Sequence, residues 1–169
     1  MGAWLMGTLF LWIIASQNFR EVEQVLNSNR PEVSKIIQSI NYDDTRLLLR
    51  FLASELNRFY FKLWGGMQLL IGGCIILILG KHRYRFMDRL GFFMVVGMWI
   101  LSIILLFWIT PELITLGRLL DFVPRNPPSN EMLLFWNYHF VYVLTDFLKF
   151  ALGLWITIRL NRRFGSVTI

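Results

Sequence analysis

Three long uncharged runs constrain this chain more than any other feature. Residues 1–19, 63–79 and 90–111 contain no Asp, Glu, Lys or Arg, and a fourth apolar stretch, 132–158, contains only Asp146 and Lys149. A helix needs roughly 20 apolar residues to cross a hydrocarbon core of about 30 Å. The pattern predicts an all-α integral membrane four-helix bundle, with spans at about 2–20, 60–80, 90–110 and 133–158. Together they make one domain over residues 1–169. Composition agrees: 56% of residues are hydrophobic, 17% are charged and mean hydropathy is +0.52. A soluble domain of this size carries more polar surface.

Charge sets the expected orientation. The segment 20–62 holds seven basic and six acidic residues; 81–89 (KHRYRFMDR) holds four and one; 112–131 holds two and three; the tail 159–169 holds three and none. Basic loops stay cytoplasmic. This places the 81–89 loop, the tail and both termini in the cytoplasm of a cell (inner) membrane, and 21–59 outside. The net charge of +6 then reflects topology and contact with lipid headgroups rather than nucleic acid. Trp64, Trp108, Trp136 and Tyr138 fall near the expected outer boundary, and Tyr84 and Trp155 near the inner one, as an aromatic belt would. The first helix reads as a retained signal anchor, because it lacks a positive n-region and its apolar stretch is long.

Between the first two spans, Asn29-Arg30-Pro31-Glu32 marks a break and a new helix start. Val33, Ile36, Ile37 and Ile40 then recur at helical spacing, which makes the external segment 21–59 amphipathic. Asn41-Tyr42-Asp43-Asp44-Thr45 is an N-cap cluster. The second spanning helix is therefore expected to start near Asp44, giving it a long extramembrane extension, and to end near Gly80. Pro111 is expected to close the third span, with a separate short helix over 112–122. Pro124 to Asn130 reads as a stiff external loop.

Inside the second span, Gly66, Gly73 and Gly80 repeat every seven residues, as do Gly65 and Gly72 on a neighbouring face. Such rows let helix backbones approach closely in lipid, with Gly91 and Gly97 of the third helix as the expected complement.

The fourth span is the most polar. His139, Tyr142, Asp146 and Lys149 share one helical stripe. If the hydrocarbon begins near Phe140, Asp146 lies about 9 Å below its edge, level with Gln68 of the second span. A charge at that depth faces other helices and finds a partner. The stripe is either a structural clasp of Asp146 with Lys149, Gln68 or a tyrosine, or an ion path. His82 and His139 fall on opposite sides of the membrane, so they cannot share a haem or metal within one chain. His139 alone could be an axial ligand to a haem or chlorophyll shared with a partner subunit. Met67, Met94 and Met98 are scattered packing residues. Cys74, the only cysteine, has no intrachain disulfide partner. No phosphate loop, CxxC, HExxH or GxSxG motif is present.

The small-residue first helix (Gly2, Gly7, Phe10, Phe19) and the Phe135-x-x-x-His139 opening of the fourth resemble an uncharacterised family of small bacterial four-helix integral membrane proteins, of copper-export-like grouping. The resemblance implies topology alone, since the methionine and histidine clusters of copper handling are missing here. The sequence thus points away from an enzyme. It favours a membrane-embedded accessory or scaffold subunit with other integral membrane subunits and lipids as partners. A small oligomeric transporter using the Asp146 stripe is the alternative, and a cofactor-bearing subunit is a third reading.

Overall fold

A computed structural model describes residues 1–81, 89–123 and 127–165, with side chains to 162. It is all-helical over these residues. In chain order the helices are α1 (Gly2–Leu26), α2 (Pro31–Ile40), α3 (Tyr42–Lys81), α4 (Arg89–Leu119) and α5 (Asn130–Gly165). His82, Tyr84 and Pro124 to Asn126, and most of the two basic segments expected inside, lie outside the described residues.

Three helices, α3, α4 and α5, are long and apolar enough to cross a membrane. α1 falls short of that measure, because its uncharged run ends in Ser16-Gln17-Asn18 before Arg20. α1 nevertheless packs along α3 for its whole length. Trp4 meets Gly72, Gly7 meets Trp64, and Val22 and Leu26 meet Ala53. The order is antiparallel. α4 runs antiparallel to α3, with Trp99 beside Gly72 and Leu106 beside Gly65. α5 returns against both α4 and α1, where Gly153 touches Met98 and Leu5. Trp4, Leu11, Trp64, Val95, Met98 and Ile156 form the apolar core between them.

α2 starts with Pro31 in its first turn and Glu32 at its positive end, as the sequence predicts. Only Asn41 separates it from α3. Asn41 takes φ 97° and ψ 142°, a strained positive-φ conformation outside the left-handed helical well. Its carbonyl accepts a 2.7 Å hydrogen bond from the Thr45 hydroxyl. The 40 residues of α3 reach about 60 Å at 1.5 Å per residue, twice the hydrocarbon thickness. Its upper half therefore stands outside any bilayer that holds 63–79.

Pro111 does not close the third span. α4 continues through it to Leu119 by way of a π-helical turn at Leu105–Ile109. Proline lacks an N–H and crowds the carbonyl four residues back. A wider turn just before it absorbs the register change without ending the helix. The separate helix expected at 112–122 is thus the end of α4.

Candidate functional site

The strongest candidate is a polar cluster inside the packed helices, built by four of them. Asp146 and Lys149, one turn apart on α5, are each 1% exposed. The Lys149 ammonium lies 3.0 Å from Asp146 Oδ1, an ion pair bent away from hydrogen-bond geometry. Lys149 Nζ also donates to Gln68 Oε1 of α3 at 2.8 Å and approaches Ser102 Oγ of α4 at 3.3 Å. The Ser102 hydroxyl lies 3.1 Å from Gln68 Oε1 and 3.0 Å from the Met98 carbonyl, either of which can accept its proton. From α1, the Trp12 indole N–H donates to Asp146 Oδ2 at 2.9 Å. Trp12 is held there by rings of Phe147 and Phe150.

Each member sits where its helix faces inward. On α3, Trp64, Gln68 and Gly72 follow at four-residue steps on the buried face. Val95, Met98, Ser102 and Leu105 line the buried face of α4 at steps of three, four and three. The opposite charges cancel at short range, and the neutral partners take up most of the remaining hydrogen-bonding capacity. Two atoms are exceptions: Gln68 Nε2 is buried without a partner, and Asp146 Oδ1 has the Lys149 charge beside it but no hydrogen bond. An unmet buried donor of this kind costs on the order of 1–3 kcal/mol.

Gln68, Asp146 and Lys149, singled out from sequence, come together here. Tyr142 is buried on the same stripe with its ring edge-on to Phe61 at 5.3 Å. His139 lies apart from the cluster, two turns nearer the start of α5, half-buried. Its imidazole stacks on Phe135 at 5.8 Å and meets the edge of Trp136 at 5.7 Å. Trp12 and Ser102 were not foreseen. A serine or tryptophan in an apolar run signals nothing alone, although both fall on the inward face at the depth of Asp146.

The glycines divide. A Cβ on Gly65 or Gly72 would collide with Leu106 or Trp99, so these two admit close neighbours, and Gly91 is buried. Gly66, Gly80 and Gly97 face open space, and Gly73 nearly so. Their expected packing role is corrected as far as this chain's own helices go. Trp64 likewise leaves the aromatic belt: it is buried, with its ring over Gly7. Trp108 and Trp136 are exposed as expected.

A second polar group lies above the apolar layer. Arg58 of α3 bonds both carboxylate oxygens of Asp121, just beyond α4, at 2.7 and 2.9 Å, and Glu55 at 2.6 Å. Arg118 reaches Glu55 from α4. Hydrogen bonds from Arg118 and then Arg58 hold the Glu55 carboxyl below its usual value. Further out, Glu23 of α1 pairs with Arg46 and Arg50 of α3.

A shallow apolar groove of about 280 Å³ lies between α4 and α5, lined by Ile109, Leu134, Asn137, Tyr138 and Val141. It contains no carboxylate, imidazole or thiol. Among the described residues, no three His, Cys, Asp or Glu side chains gather as metal ligands would. No known family, curated protein or solved structure matches the chain.

Proposed function

We propose that the chain is a non-catalytic, membrane-embedded accessory or scaffold subunit of a larger membrane protein complex of respiratory, photosynthetic or translocation type. It would cross the inner membrane four times as a helical bundle, with both termini in the cytoplasm. The observation that supports this reading best is the internal pairing of the two charges in the buried polar cluster. Asp146 and Lys149 neutralise each other and are tied to α1, α3 and α4, so the intramembrane charges serve to hold helices together. A group used this way is poorly placed to accept a substrate. α1 supports the fourth span: it lies level with the other three and presents Met6, Phe10 and Ile13 outward.

Native membranes solubilised in mild detergent test the proposal. The chain is expected to migrate with other membrane proteins at a mass well above its own 20.0 kDa. A species containing this chain alone sinks the accessory reading.

The unpartnered Gln68 Nε2 favours one second reading, a small oligomeric transporter or channel that uses the Asp146 stripe. A passing ion or water could answer that donor. In proteoliposomes, Asp146→Asn would then abolish flux; unchanged or absent flux in the parent chain removes the idea. Reading His139 as an axial ligand has weaker support, because the imidazole is wedged between two aromatic rings. An absorption spectrum that keeps its bands in His139→Ala dismisses it.

A further inference from the structure

The face of α3 turned away from the other helices carries two rows that repeat every seven residues. One row is Leu56, Leu63, Leu70 and Leu77. The other is Phe59, Gly66, Gly73 and Gly80, preceded by Leu52. The rows alternate at steps of three and four, the imprint of a neighbouring helix lying at a small crossing angle. The chain's own packing uses a different face, through Ala53, Asn57, Trp64 and Gln68. Large side chains of the outward rows stay 39–74% exposed, and added Cβ atoms on Gly66 and Gly80 would meet nothing.

Lipid can cover the lower part of this face but not the upper part. Lys62 is the last charge before the apolar run. Leu48, Leu52 and Leu56 stand about 9–21 Å above it at 1.5 Å per residue, past the hydrocarbon. Lipid contact also imposes no seven-residue period. The occupant must be a helix that crosses the membrane and continues outside on the same side, as α3 itself does.

We propose that this face pairs with the same face of a second copy of the chain, about a two-fold axis normal to the membrane. Copies inserted in one orientation set α3 parallel to α3, and isologous contact then brings row against row. No charged residue lies in either row, so like charges are not opposed. The glycines let the backbones close in, and the leucines fill the space between. The exposed surface of the row leucines and Phe59 is roughly 650 Å² per copy, inside the roughly 600–1,000 Å² that one partner gives to a standard stable interface.

Cysteine crosslinking in native membranes tests this pairing. Cys74 is the only cysteine, so a Cys74→Ala chain is a clean background for Leu56→Cys, Leu63→Cys and Leu70→Cys, with the exposed Phe140→Cys on α5 as control. Under mild oxidation the three α3 variants are expected to give a covalent species of twice the chain mass, at several-fold the Phe140→Cys yield. Yields equal to the control, or adducts with a different protein, overturn the pairing. The unsubstituted chain in lipid nanodiscs guards against misfolded variants: its native mass should be a multiple of two chains, and a single-chain mass overturns the proposal. The outcome is separable from the accessory reading. A homodimer with no other protein keeps the pairing and sinks that reading; a one-copy complex with foreign subunits does the reverse.

Discussion

Asp146 and Lys149 contribute through each other. Removing one leaves the other buried with its charge uncompensated, which costs about 3–5 kcal/mol, whereas replacing both with apolar residues of similar size is often close to neutral. Asp146→Leu is therefore expected to lower the thermal midpoint in detergent sharply, and Asp146→Leu/Lys149→Met to recover most of it. Equal losses from the single and double variants would show that the pair has another role. Gly7 makes a different demand. The Trp64 ring lies over it where a Cβ would be, and overpacking of this kind costs about 1–3 kcal/mol. Gly7→Ala should destabilise by that amount and Trp64→Phe should relieve it, while Gly97→Ala, facing open space, should change little. Thermal unfolding of the four chains reads out the difference. The sequence marked Asp146, Lys149 and Gln68 because polar groups are conspicuous in apolar runs. It could not mark Trp12 or Ser102, which are ordinary at such positions, nor separate Gly65 and Gly72 from Gly66 and Gly80. A seven-residue repeat defines a face but not the neighbour it meets.

At the level of the helices, the decisive contact is between the projecting part of α3 and the end of α4. Arg58 and Asp121 are 12% and 6% exposed at the side chain and share two hydrogen bonds. Such charge-assisted bonds contribute about 1.5–3 kcal/mol each way of counting. Asp121→Asn should cost in that range. Arg118→Ala, which removes a pair 59% exposed on the arginine side, should cost less than about 1 kcal/mol. Denaturation of α3–α4 contacts, followed by hydrogen exchange at 112–119, distinguishes the two. Helix starts were legible from Pro31-Glu32 and the Asn41 to Thr45 cluster, because caps are local chemistry. The passage of α4 through Pro111 was not, because the compensating π turn rests on packing around Leu105 and leaves no residue signature.

For the molecule as a whole, the helix order places Asn29 and Ser129 on one side of the apolar layer and Arg162 on the other. With the orientation proposed from charge, single cysteines at 29 and 129 should react with an impermeant maleimide on intact cells, and one at 162 only after the membrane is opened. Reversed labelling would invert the orientation and leave the packing intact. The three long apolar helices could be read directly from uncharged length. α1 is less apolar than its uncharged run suggests because Gln17 and Asn18 are uncharged yet strongly polar; Asn18 donates to Asn57 at 2.6 Å, and Asn57 to the Ala15 carbonyl at 3.0 Å.

The acid and base of the buried cluster belong to the same helix, one turn apart. In chain order it follows α1, α3 and α4. It carries its own counter-ion, so it can partition into lipid as a compact dipole rather than as two separate ions. Before α5 arrives, the Trp12 indole N–H lacks its carboxylate, while polar links such as Asn18 to Asn57 and Arg58 to Asp121 already join the earlier helices. Completion of the polar interior therefore waits on α5, and a chain truncated before residue 146 would keep those outer links and leave the Trp12 N–H unanswered.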